Sequence, residues 1–90
     1  MSNALVPGGY TDFRPLTPED KALFEKVMAP ILGVEYEPTE VATQVVSNAI
    51  NYKFRAIGTI VNPSQDKFHA VITIVKPSKG DPLLESIVRV

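Results

Sequence analysis

Few side chains in this 90-residue chain can do acid–base or nucleophilic chemistry. Cysteine is absent and His69 is the single histidine, so hydroxyls, carboxylates and lysines are the other reactive groups. His69 falls within an alternating strand pattern, which favours an imidazole on the polar face of a sheet. A general base needs a placed nucleophile and an orienting acid, and no spacing in the sequence provides them. We therefore expect that the protein is not an enzyme, and an enzyme of unrelated chemistry is the weakest alternative.

The sequence also offers no pattern typical of a metal or nucleotide site. Glu35, Glu37 and Glu40 cluster after a predicted helix, and solvated loop charge explains them better than a metal site, because one histidine with scattered carboxylates has no recognisable ligand spacing. Gly8-Gly9 lacks the strand, glycine spacing and helix of a phosphate-binding loop. We expect no metal and no cofactor.

The composition disfavours some classes of binding partner. Nine basic and ten acidic residues give a net charge of −1, and no two Lys or Arg residues are adjacent, so nucleic acid is an unfavourable partner. The N-terminus has no secretory pattern and no apolar run approaches the ~20 residues of a membrane span. We expect a cytoplasmic protein without a membrane partner, and a single domain over residues 1–90.

Three short segments are harder to explain as ordinary architecture, although for each segment taken singly the ordinary explanation is favoured. The ordinary explanations are, in order along the chain, a flexible terminus, a buried strand end and a connection between two strands. The segments are Leu5-Val6-Pro7-Gly8-Gly9, Gln44-Val45-Val46-Ser47-Asn48 and Pro77-Ser78-Lys79-Gly80.

One amphipathic helix must position these segments. Thr17 is a plausible N-cap and Pro18 suits the first helical position. Apolar side chains then recur at helical spacing and share one face. We expect the helix to end around residues 29–33, because Pro30 lacks the required N–H and Gly33 can adopt a left-handed stop. The apolar face comprises Leu23, Phe24, Val27, Met28 and Ile31.

Alternating strands follow the helix. The pattern changes to period two after Pro38, and residues 47–50 are expected to form a turn. In the next strand Tyr52, Phe54 and Ala56 should be buried, and Gly58 could allow a bend or bulge. Strands are also expected over residues 68–75 and 83–90. Residues 1–16 are predicted to form an extended arm, which could add a strand around residues 10–14. These elements predict an α+β domain with an antiparallel sheet wrapped around one helix.

The three segments, in this order around one helix, resemble the cystatins, and specifically the stefins, their small cysteine-free branch. Pro7-Gly8-Gly9 is similar to the glycine trunk of that family, and residues 15–27 are similar to the start of its helix. Gln44-Val45-Val46-Ser47-Asn48, followed by Asn51-Tyr52, is similar to the Gln-Val-Val-Ala-Gly-Thr-Asn-Tyr segment that forms the first inhibitory hairpin. Residues 76–80 fall where the second hairpin loop belongs. The resemblance covers nearly the whole chain.

The resemblance implies a cystatin-like fold and reversible, tight-binding inhibition of papain-like cysteine proteases of the cathepsin type. In that interpretation a monomer wedges its trunk and two hairpins into the active-site cleft. The residues that the family pattern assigns to protease binding are Leu5, Val6, Pro7, Gly8, Gly9, Gln44, Val45, Val46, Ser47, Asn48, Pro77 and Ser78.

The first hairpin departs from the family pattern. Asn48 replaces the glycine of the motif, and one extra residue precedes Asn51-Tyr52. Asparagine tolerates positive φ, which would permit a similar turn. The departure also supports an alternative, a non-inhibitory binding or assembly module with the same fold, including a domain-swapped dimer.

Overall fold

The computed structural model describes residues 9–90, which form one helix and a five-stranded sheet. The strands follow one another in the sheet in chain order, and every neighbouring pair is antiparallel. The helix lies against one face of the sheet and approaches both β2 and β5. This is an α+β arrangement, as the sequence predicts. The elements are β1 (Arg14–Pro15), α1 (Pro18–Met28), β2 (Val34–Val46), β3 (Ala49–Ile60), β4 (Lys67–Pro77) and β5 (Leu83–Arg89).

The start of α1 confirms the predicted cap. The hydroxyl of Thr17 accepts a hydrogen bond from the backbone N–H of Asp20, and the Asp20 carboxylate accepts one from the backbone N–H of Thr17. This reciprocal capping box satisfies two N–H groups that have no partner inside the helix. The helix ends at Met28, and Gly33 has a φ of 88°, so the chain turns into β2 where the sequence predicted a stop.

The core forms between the apolar face of α1 and one face of the sheet. Phe24 of α1 is 2% exposed and lies edge-to-face on Phe54 of β3, with ring centroids 5.0 Å apart. Tyr52 packs against this core, and Phe54 and Ala56 are buried in it, which confirms the predicted alternation of β3. Val41, Ile72 and Ile74 complete the buried cluster from the neighbouring strands.

The other side of the sheet is called the outer face here, and it carries the side chains that alternate with the core residues. Lys53 and Arg55 of β3 belong to this face. Ala42 and Thr73 also belong to it, yet they are only 2% and 7% exposed. Something in the chain must therefore cover the middle of the outer face.

The expectation that Glu35, Glu37 and Glu40 lie in a loop is wrong, because β2 begins at Val34 and includes all three. Glu35 and Glu37 are exposed, whereas Glu40 forms an ion pair with Arg55 at 2.9 Å. Within residues 9–90, β1 pairs only with Glu40 and Val41, so no described strand pairs with residues 34–39 on the side of β2 away from β3. An edge position tolerates proline, which explains how the strand passes through residue 38.

The irregularity expected at Gly58 is also misplaced. Gly58 keeps regular register with both neighbouring strands, and the register shift lies in β2 between Pro38 and Glu40. A Cβ added to Gly58 would lie 2.5 Å from Cζ of Phe68. The glycine therefore makes room for the Phe68 ring, which lies edge-to-face against Tyr36 with a centroid separation of 5.9 Å.

Candidate functional site

Two of the three predicted segments meet at one end of the sheet. Ala49, at the start of β3, pairs with Val46 on one side and with Pro77 on the other. The turn between β2 and β3 and the connection between β4 and β5 therefore leave the sheet at the same end. We call this end the loop ridge, which comprises Val45, Val46, Ser47, Asn48, Pro77 and Ser78.

A pair of hydrogen bonds ties the two loops of the ridge together. The backbone N–H of Ser78 donates to the carbonyl oxygen of Asn48 at 2.9 Å, and the Ser78 hydroxyl donates to the same oxygen at 3.2 Å. These contacts join residues that are 30 positions apart in the chain. Ser78 of the second loop is bonded to the carbonyl of Asn48 in the first loop, and both loops adjoin β3. The movements of the two loops are therefore coupled.

The first turn of the ridge differs from the turn expected at residues 47–50. Val46 pairs with Ala49, so Ser47 and Asn48 alone connect β2 to β3. Among residues 9–90, Gln65 is the one non-glycine residue with positive φ, so Asn48 makes its turn without using the left-handed region. The tolerance of asparagine for positive φ is therefore not what shapes this hairpin.

Large apolar side chains remain in solvent on the ridge. Val45 is 68% exposed and Val46 is 36% exposed. A shallow cavity of about 240 Å³ lies between the loops and is lined by residues 45–50 and 76–78. Exposed apolar side chains gathered around a concavity are typical of a surface that contacts another protein.

Leu83 is a further exposed apolar side chain close in sequence to the second loop, and sequence reasoning did not include it among the candidates. It pairs with Val75 at the start of β5, directly after the second loop, and is 62% exposed. The signal was available in the Leu83-Leu84 pair, because adjacent side chains of a strand point to opposite faces and only one can face the core. Leu84 is the member that packs against the core.

Gln44 lies behind the ridge and braces the first hairpin. The side-chain amide of Asn51 donates a hydrogen bond of 2.8 Å to Oε1 of Gln44 across the β2–β3 pair. This contact fixes the two strands just before they turn. In the structure Gln44 supports the hairpin, and its neighbours Val45 and Val46 carry the exposed apolar surface. The assignment of Gln44 to protease binding stays a prediction.

The third predicted segment is described only from Gly9 onward, and Leu5, Val6, Pro7 and Gly8 lie outside the described residues. Thr11 joins the arm to β2: its N–H donates to the carbonyl oxygen of Thr43 at 2.8 Å, and its hydroxyl accepts from the N–H of Thr43 at 3.0 Å. Gly9 can therefore lie no more than about 7 Å from Thr11. Thr43 lies in β2 two residues before Val45, so its contact with Thr11 places the arm beside the first hairpin.

Charged groups at the start of α1 hold the arm against the helix. Nη1 of Arg14 lies 2.7 Å from Oδ2 of Asp20. Burial acts to raise the pKa of Asp20, but hydrogen bonds from Arg14 and Thr17, together with the guanidinium charge, outweigh it and lower the pKa. Burial raises the pKa of Tyr52, and the nearby Asp20 carboxylate raises it further, against the opposing effect of Arg14.

His69 is exposed on β4, as the sequence predicts. It lines a depression of about 370 Å³ that also contains Glu40 and Arg55. The Arg55 guanidinium is already bonded to Glu40 and lies 4.0 Å from the ring centroid of Phe13. The depression is thus lined by an ion pair with existing partners and an exposed imidazole.

Over residues 9–90, side chains that could ligate a metal do not gather in groups of three or more. The single helix of that part of the chain is too short and too polar to cross a membrane. Comparison of the chain with protein-family models, curated proteins and solved structures found no match.

Proposed function

We propose that the protein is a reversible, tight-binding inhibitor of papain-like cysteine proteases, with a cystatin-like fold that presents the loop ridge and the N-terminal arm to the active-site cleft. The observation that carries the proposal is the ridge itself. Two hairpin ends that share a hydrogen-bonded carbonyl hold Val45 and Val46 in solvent, where an isolated protein gains nothing from them.

A ridge of this kind can occupy a cleft without a large ordering cost. Inhibitors of proteases typically bury ~1,600 Å² of total surface, and fully burying a valine or leucine is worth roughly 1.5–3 kcal/mol. The tie between Asn48 and Ser78 fixes the two loops before binding. Preorganisation of this kind lowers the entropy lost on association, which leaves more of the burial energy as affinity.

The arm supplies the other half of the wedge. Gly8 and Gly9 would let the backbone pass close to the catalytic cysteine without a side-chain clash, so that no peptide bond is placed for attack. Leu5, Val6 and Pro7 would enter the non-primed subsites, and the ridge would cover the primed side. The chain blocks the cleft in this scheme and takes part in no reaction.

The direct test is titration of active papain with the purified chain. We expect reversible, stoichiometric loss of peptidase activity. A chain without residues 1–7 should inhibit about 30-fold to 1,000-fold more weakly, because two apolar anchors worth ~2–4 kcal/mol together are removed. Failure of the intact chain to inhibit papain or any of a panel of cathepsins would refute the proposal.

A second candidate is a non-inhibitory assembly module in which helix and arm exchange between two chains. The backbone at the first turn favours it, because Ser47 and Asn48 use no left-handed conformation and can join β2 and β3 as one extended strand. Size-exclusion chromatography coupled to light scattering separates the two functions. A dimer that fails to inhibit papain would support assembly, and an inhibitory monomer would exclude it.

A further inference from the structure

The N-terminal arm lies over the outer face of the sheet through two aromatic rings. The ring of Tyr10 has Nζ of Lys53 4.4 Å from its centroid, and the ring of Phe13 has Cζ of Arg55 4.0 Å from its centroid. Lys53 and Arg55 are successive outward-facing residues of β3. Two rings of the arm therefore lie on two neighbouring cations of the central strand.

Burial on the outer face agrees with this arrangement. Ala42 and Thr73 face outward yet are almost fully buried, and both pair with Lys53, whose Nζ lies on the Tyr10 ring. Burial raises the pKa of Tyr10, and the carboxylate of Glu85 on β5 raises it further.

The arm is also held at the edge of the sheet. Thr11 lies between the two aromatic residues and exchanges hydrogen bonds with Thr43 of β2. Two ring contacts and one edge contact fix residues 10–13 from different directions. We expect a segment held at three points to leave the sheet in one fixed direction.

We propose that Lys53 and Arg55 are positioning residues that hold the arm through Tyr10 and Phe13, and so preset the path by which Gly9 and the residues before it enter the protease cleft. The inference rests on the proposed function for its last step. Its first step, that these contacts hold the arm, is independent of any protease. An aromatic–cation contact at an exposed site contributes little alone, but two contacts act together on a short segment.

Hydrogen exchange of the Thr11 amide, followed by NMR, tests the first step. The double variant Lys53→Met and Arg55→Met keeps the apolar stems and removes both charges. We expect the Thr11 amide to exchange about fivefold to thirtyfold faster, while the amide of Ile72 in the core is unchanged. A second variant, Tyr10→Ala with Phe13→Ala, removes the rings from the other side and should give the same result.

Two controls separate positioning from a general loss of structure. Tyr10→Phe keeps the ring and should leave exchange at Thr11 unaltered. Arg89→Met removes a similar contact, in which Cζ of Arg89 lies 3.9 Å from the centroid of the Phe68 ring, and should also leave Thr11 unaltered. Unchanged exchange at Thr11 in both double variants would overturn the inference.

Papain inhibition tests the second step in the same variants. If the intact chain inhibits, the variant that loses both cations should dissociate from papain about fivefold to thirtyfold faster, in proportion to exchange at Thr11. Faster exchange with unaltered inhibition would overturn the role of the anchor in protease binding. If the intact chain does not inhibit at all, the proposed function fails, and the exchange data alone decide whether Lys53 and Arg55 hold the arm.

Discussion

The carboxylate of Asp20 receives two hydrogen bonds that join the arm to the helix: one from Nη1 of Arg14 at 2.7 Å and one from the backbone N–H of Thr17 at 2.9 Å. Asp20 is 7% exposed and belongs to the first turn of α1. One buried carboxylate therefore caps the helix and fixes the end of β1, so the path of the arm and the stability of the helix depend on the same group.

This contact predicts a specific dependence of stability on pH. Because the pKa of Asp20 is lowered in the folded state, the stabilisation is complete above the unfolded value of about 3.9 and is lost as the pH falls toward the folded value. Asp20→Asn should lower the free energy of unfolding at pH 7 by about 1–3 kcal/mol and flatten the acid limb of the stability curve. Urea unfolding at several pH values measures both effects.

Glu19→Gln is the matched control, because Glu19 lies in the same helical turn but is exposed. It should leave the acid limb unaltered. An acid limb in Asp20→Asn identical to that of the parent chain would contradict the assignment.

The proposed role of the loop ridge predicts that a charge at Val45 weakens inhibition without unfolding the protein. Val45→Asp places a carboxylate on a side chain that is 68% exposed, so folding should tolerate it. Inhibition of papain should weaken by roughly 10-fold to 100-fold, as the burial of one valine is worth about 1.5–3 kcal/mol. Inhibition constants and melting temperatures measured together separate the two effects.

Val61→Asp is the control, since Val61 is 65% exposed but follows β3 at the opposite end of the sheet from the ridge. Equal loss of inhibition in both variants would show that the ridge is not the contact surface.

The close approach of Phe68 to Gly58 predicts a steric effect on stability. In Gly58→Ala the new methyl group would lie 2.5 Å from the ring, and the resulting repacking should lower the free energy of unfolding by about 1–3 kcal/mol. In the background of Phe68→Ala the same change should cost much less, because the ring is gone. A double-mutant cycle by urea unfolding measures this coupling, and additive effects would contradict it.

The trunk predicts that bulk at Gly9 matters more than the imidazole at position 69. Gly9→Glu should weaken papain inhibition at least about tenfold by holding the backbone away from the cleft. His69→Ala should leave inhibition unaltered, because His69 pairs with Ile57 toward the end of β4 that lies away from the ridge. A variant set in which His69→Ala loses activity and Gly9→Glu keeps it would refute this mode of binding.

Local patterns in the sequence were enough to predict the helix, its cap and the buried face of β3. Thr17 caps α1 as its type and position suggest, and Phe54 and Ala56 point into the core as strict alternation requires. These features depend on residues within a few positions of one another, where hydrogen-bonding reach and the strand period decide the outcome.

Features that depend on distant partners were beyond the sequence. The strand at residues 34–40 was missed because Pro38 suggested a boundary, whereas the unpaired edge of β2 allows a proline there. The bond between Asn48 and Ser78 and the contact of Phe13 with Arg55 connect segments far apart in the chain. Only the register of the folded sheet brings such groups together.

The chain-order arrangement of the sheet has a consequence for how the protein is made. From β2 onward each strand pairs with its predecessor through a short connection, so no strand intervenes between paired neighbours. Short closures cost little entropy, and topologies with local pairing fold quickly. Strands β2 to β5 can thus dock in the order in which the ribosome releases them, and each adds to a surface that its predecessor already provides.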